Sequence, residues 1–90
     1  MNRTIITVVG KDTKGIIAKV CTYLADNDVN ILDISQTIVQ EYFNMMMIVD
    51  MQKTEKPFIE VADELAKLGK GIGVQVKCQR EEIFDMMHRI

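Results

Sequence analysis

Seven consecutive residues, Gly10-Lys11-Asp12-Thr13-Lys14-Gly15-Ile16, carry the densest chemical potential in the chain. Glycine at both ends lets backbone amides come close to a ligand, and free N–H groups at a helix start attract a carboxylate or phosphate. A second reading stays open, in which Asp12 or Thr13 simply caps the helix that follows. The outer spacing matches the GxxxxG of a P-loop. Ile16 and Ile17, however, stand where that motif needs lysine and a hydroxyl residue for phosphate and magnesium, which argues against nucleotide hydrolysis.

Other reactive side chains are sparse. Ser35 is the only serine and His88 the only histidine, one on an extended segment and the other near the C-terminus, so a nucleophile–base pair is not expected. Cys21 and Cys78 lie far apart with no CxxC or metal-ligand spacing, and a lone histidine adds no zinc site. They read as reduced, half-buried thiols. Asp26, Asp28 and Asp33 read as solvated charges, and Gly69, Gly71 and Gly73 as turn residues. The expectation is a protein that is not an enzyme and holds no cofactor and no metal.

Composition narrows the class further. Ninety residues make one domain, and 27% charged with 48% hydrophobic residues is a globular balance. A net charge of −2 and a pI near 5.3 argue against nucleic-acid binding. The longest apolar run, Met45 to Val49, is too short for a bilayer, and the opening Met1-Asn2-Arg3-Thr4 lacks a signal sequence, so a cytoplasmic location is expected.

The elements that must position the loop follow from periodicity. Residues 3 to 9 are β-branched almost throughout and stop at Gly10, which predicts a strand and a turn. Ile16, Ile17, Val20, Cys21 and Leu24 recur at helical spacing until Asn27 and Asp28. Segments 30–40 and 43–52 read as a hairpin turning at Glu41-Tyr42, with Leu32, Ile34 and Ile38 on one face of its first arm. Lys56-Pro57 opens a second helix with Phe58, Val61, Ala62 and Leu65 buried and Gly69 as its stop. Val74, Val76 and Cys78 alternate with polar residues in a last strand, and Glu81 to Ile90 form a short amphipathic tail helix bearing Ile83, Phe84, Met87 and Ile90.

This order predicts an α+β, ferredoxin-like βαββαβ sandwich: an antiparallel four-stranded sheet with two helices on one face, plus the short C-terminal helix. The whole chain, 1–90, is a single domain with its core at 3–80. In sheet order 4-1-3-2 the central strands are apolar on both faces, so the face without helices needs the tail helix, a partner subunit or both. The alternative is that methionines fill a loose core and the rest is tolerated exposure. An RNA-recognition sheet is not expected, because strand three offers methionines and only Phe43 as an aromatic.

The element order, the loop from Gly10 to Ile16 with Ile17, and Val29-Asn30-Ile31 opening the second strand together resemble the ACT domain, an amino-acid-sensing module. The tail from Glu82 to Ile90 is similar to that of small stand-alone bacterial ACT proteins of the UPF0237 type, which in turn look like the ACT repeats of the glycine cleavage system repressor. The resemblance implies a regulatory homodimer binding an amino acid between the first loop of one subunit and the start of the second strand of its neighbour. It places the ligand among Gly10, Lys11, Asp12, Thr13, Gly15, Ile16, Asn30 and Ile31. Asp12 falls on the loop's polar contact position, Gly15 on the close-approach glycine and Asn30 on the strand-two amide. Gly10 stands where some members carry histidine, so serine-type recognition is not implied. The partner would be a regulated enzyme or a transcription factor. The competing class is an interaction module that docks a protein through the apolar sheet face or the C-terminal helix, without a ligand.

Overall fold

The computed structural model describes residues 3–11 and 14–81. Asp12, Thr13 and most of the expected tail helix, from Glu82 onward, lie outside the described residues. The elements are β1 (Arg3–Lys11), α1 (Ile16–Asp26), β2 (Asn30–Val39), β3 (Tyr42–Asp50), α2 (Phe58–Ile72) and β4 (Val74–Arg80). They form one antiparallel sheet in the order β2-β3-β1-β4. The expected βαββαβ arrangement is the observed one.

Alternation divides the sheet into two faces. Thr4, Ile6 and Val8 of β1 lie in register with Val49, Met47 and Met45 of β3, and Val8 with Val76 of β4. This face packs against Ile16, Val20 and Leu24 of α1 and Val61 and Leu65 of α2 in one cluster. Each such side chain contributes about 1.5–3 kcal/mol by leaving water. The Thr4 hydroxyl, buried in this layer, donates to the Met51 sulfur at 3.1 Å. On the opposite face Ile5 is buried while Val9, Met46, Tyr42 and Val39 stay exposed.

Several boundaries differ from the sequence expectation. β1 continues through Gly10 to Lys11, because Gly10 pairs with both Phe43 and Val74. A Cβ there would lie 2.8 Å from Val74 Cγ1, so the glycine permits strand packing and does not begin a turn. The hairpin turns one residue earlier than expected, at Gln40-Glu41, with Gln40 at a positive φ of 57° and β3 ending at Asp50. A bulge at Leu32 breaks the face that Leu32, Ile34 and Ile38 were expected to share, and all three are exposed.

Gly69 is not the helix stop; α2 runs on to Ile72 and ends on Gly73 at φ 79°. Gly69 instead faces β4, where a Cβ would stand 2.6 Å from Val76 Cγ2 and 2.8 Å from the Val74 carbonyl oxygen. We expect Gly69→Ala to destabilise the fold by about 1–3 kcal/mol, as overpacking does, despite alanine's better helix propensity. Urea unfolding checks the sign; an alanine that stabilises would contradict the close approach.

The helices are latched to each other on their outer side. Tyr23 Oη of α1 donates to Glu64 Oε1 of α2 at 2.6 Å, and Lys56 Nζ donates to the same oxygen at 2.7 Å. Burial foremost, and then the Glu64 hydrogen bond, push the Tyr23 phenol up, so it remains a donor. The Lys56 hydrogen bond first and the Tyr23 one second hold the Glu64 carboxyl below its usual 4.5. The unfolded chain therefore takes up that proton at a higher pH than the folded one. Stability from the latch is full above the ordinary carboxylate range and is lost as pH falls through the folded value. Glu64→Gln is expected to flatten the acid limb of a stability-versus-pH curve below the ordinary carboxylate range, and an unchanged slope would contradict this.

Candidate functional site

α1 begins on Gly15, which adopts a left-handed φ of 89° and provides no side-chain cap. Its carbonyl accepts from Lys19 N–H at 3.0 Å, so the N–H groups of Ile16, Ile17 and Ala18 precede the first intrahelical acceptor. They form the positive end of α1. The Ile16 side chain is only 2% exposed and belongs to the core, so this residue offers a ligand its backbone alone. Gly10 is held in the sheet, and Lys11, paired with Tyr42, ends β1 on the surface. Asp12 and Thr13, the capping candidates of the second reading, lie outside the described residues; the N-cap position is Gly15.

Asn30 and Ile31 sit elsewhere. Asn30 opens β2 opposite Asp50, and Asp50 lies opposite Arg3, whereas Lys11 lies at the far end opposite Tyr42. The nine residues of β1 separate the two ends, about 27 Å at ~3.4 Å per residue. Within one chain the two halves of the expected site do not meet. Ile31 turns into the core layer, half-buried, leaving Asn30 exposed.

Asn30 is not isolated, however. It lines a recess of about 410 Å³ with Asp28, Val29, Asp50 and Lys53. Asp28 reaches it through a positive φ of 58° just after α1, and Asp50 Oδ1 is fixed by accepting Gln52 N–H at 3.0 Å. Two carboxylates, an ammonium and an amide in one recess suit a ligand carrying charges of both signs. Sequence reading took Asp28 for a solvated charge and passed over Asp50 and Lys53, because only the β2–β3 register brings positions 20 residues apart together.

The reactive side chains stay dispersed. Ser35 is exposed on β2. Cys21 and Cys78 are free, and burial pushes the Cys78 thiol up to about 11, which leaves it unreactive near neutrality. Among the described residues no group of three histidine, cysteine or acidic side chains is arranged to hold a metal ion, and no helix is long and apolar enough to cross a membrane.

What these features define is a ferredoxin-like α+β domain whose polar recess and open helix start occupy opposite ends of its sheet. The sequence pattern of the ACT domain matches residues 2–79, and the chain belongs to the ACT domain family, commonly a regulatory small-molecule-binding domain. A UPF0237 protein of Bifidobacterium longum is 62% identical over 90 residues, covering 100% of both chains. A solved ACT domain protein from Streptococcus pneumoniae superposes with a TM-score of 0.82 at 39% identity, covering 93% of this chain and 94% of that one. A structure assigned as a glycine cleavage system transcriptional repressor superposes with a TM-score of 0.74 at 23% identity, over 88% of this chain and 45% of its own, and so bears on fold alone.

A Cβ added at Gly15 would meet nothing within 4 Å, so substitution there tests the backbone alone. Gly15→Ala is expected to cost about 1–2 kcal/mol of stability from the left-handed φ, with the fold retained. Urea titration and circular dichroism check it, and a neutral substitution would mean that the helix starts differently.

Proposed function

We propose that this chain is a cytoplasmic, non-catalytic sensor that binds a free amino acid as a homodimer, with each ligand shared between the Asn30 recess of one subunit and the α1 start of the other. The observation that carries this reading is the separation of the two half-sites within a single chain. A helix terminus contributes about 0.3–2 kcal/mol, whereas micromolar affinity needs about 8 kcal/mol. Neither half suffices alone.

The unpaired edge of β2 supports a specific way of joining them. β2 is a ten-residue edge strand exposed along its length except at Ile31, carrying Leu32, Ile34, Ile38 and Val39 with Asp33 as its one charge. Natural edges are usually guarded by lysine, proline, a bulge or cover; among the described residues this one has only the bulge at Leu32 and the charge of Asp33. Antiparallel pairing of two β2 edges about a twofold axis sets Asn30 of one subunit beside the partner's hairpin end, where the partner's β1 ends and its α1 begins. The ligand carboxylate then meets the Gly10–Ile16 loop amides, where Asp12 and Thr13 also belong. Its ammonium meets Asp28 or Asp50, and Asn30 bonds to either end. Lys11 and Ile31 border the two halves. Occupancy and dimerisation are coupled, which is how such a domain would signal to a regulated enzyme or transcription factor.

The exposed apolar patch of Val9, Met46, Tyr42 and Val39 on the helix-free face favours a second reading, a module that docks a protein without any ligand. Thermal shift against the twenty amino acids, together with sedimentation, separates the two. The sensor reading expects a dimer whose melting temperature rises by about 10 °C or more at a hundredfold excess over Kd for at least one amino acid. Asn30→Ala should abolish the rise, and Ile34→Lys should yield monomers that no longer respond. A monomeric wild type, or a dimer indifferent to every amino acid, would end the sensor reading in favour of docking.

A further inference from the structure

A second polar cavity, of about 600 Å³, opens where β4 ends against the start of α2, and Gln52, Thr54, Lys56, Phe58 and Arg80 line it. Its volume lies within the range of small-molecule sites. Nothing in the amino-acid reading uses it. We propose that this cavity binds a compact dianion, a phosphate monoester or a dicarboxylate, through the Arg80 guanidinium with Lys56 as the second cation.

The argument starts from how Arg80 is placed. It pairs with Thr4 in the ladder, so its Cβ leaves the sheet on the helix side, beyond the last apolar residues of β4. Its guanidinium then lies over the Phe58 ring, 4.9 Å from the centroid. Contact with an aromatic face restrains the group and leaves in-plane N–H edges for bidentate bonds to a carboxylate or phosphate. Among the described residues no carboxylate pairs with Arg80. Glu81, its neighbour in sequence, goes to Arg3 at 3.4 Å, and Asp50 is tied to Gln52 N–H at 3.0 Å.

The other donors are held ready. Lys56 lines the cavity, and its Nζ is anchored to Glu64 at 2.7 Å, 5.7 Å from the Tyr23 ring centroid. Glu64 cancels only part of the local positive charge, because Lys56 and Arg80 together carry two. Thr54 Oγ1 accepts Lys56 N–H at 3.3 Å, which leaves its own hydrogen to donate. The arrangement supplies a planar fork, an ammonium, a hydroxyl and an amide around one opening. That set matches two negative charges held on one small molecule. It does not match an amino-acid zwitterion, since among the described residues no acceptor for an ammonium group lines the cavity apart from neutral oxygens.

The test is a titration of the full-length ¹⁵N-labelled chain with sodium phosphate and, separately, sodium succinate, each against sodium chloride at equal ionic strength. Saturable shifts of the Thr54, Lys56 and Phe58 amides and of the Arg80 side-chain Nε–H are expected with at least one anion. Phosphate alone would assign a phosphate monoester, succinate alone a dicarboxylate, and both the shared dianion chemistry. Arg80→Gln should weaken saturation about tenfold or more, with Arg80→Lys intermediate because it keeps the charge and loses the fork. Lys56→Gln should weaken it severalfold. Shifts that match sodium chloride, or saturation unchanged in Arg80→Gln, would overturn the proposal. Because the Asn30 recess reports through other amides, either result leaves the amino-acid reading to its own test.

Discussion

The antiparallel β1–β3 ladder is the constraint from which the rest of the molecule follows. Nine residue pairs, from Arg3↔Asp50 to Lys11↔Tyr42, fix which side chains share the core layer and how far apart the sheet ends stand. One slip of register would turn either Ile6 and Val8 or Met45 and Met47 out of the cluster they form with the helices. The same ladder sends the chain's two polar half-sites to opposite ends. A single subunit is thereby left with an open helix start at one end and a charged recess at the other.

The two sheet edges are not equivalent, and the difference is physical. β4 is short, carries Lys77 and Arg80, and has α2 packed so close that Gly69 admits no Cβ against Val76. β2 is longer, is bent by the bulge at Leu32, and is left bare on both faces along most of its length, since α1 covers chiefly the strands beside it. A short strand carrying lysine is a poorer template for edge pairing than a longer apolar one. Here the open edge is the one that carries Asn30.

Periodicity made the element order and the buried stripes legible, because helix and strand spacings report local geometry that Val20, Leu24, Val61 and Leu65 obey. The misread glycines depended on something non-local. Gly10 and Gly69 looked like punctuation, yet each is a glycine because another strand's valine occupies the space a Cβ would need. The turn moved to Gln40-Glu41 because Gln40 accepts a left-handed φ that sequence rules reserve for glycine or asparagine. Of the candidate site, loop and strand start were legible as segments. The grouping of Asp28, Asp50 and Lys53 around Asn30 was not, since no linear spacing encodes a cross-strand neighbour.

Charge placement adds a last constraint on what each recess can hold. The Asn30 recess contains carboxylates that would repel a dianion, and the Arg80 cavity contains cations that would repel an ammonium group. At a few ångströms such like-charge contacts cost on the order of 1–4 kcal/mol even with substantial solvent screening, enough to sort ligands by about fivefold or more. If both proposals hold, the two recesses select different chemistries on one small sheet. Because Asp50 sits in the first recess while Gln52, whose N–H it accepts, lines the second, a ligand that pulls on one of these side chains acts on the short segment joining both.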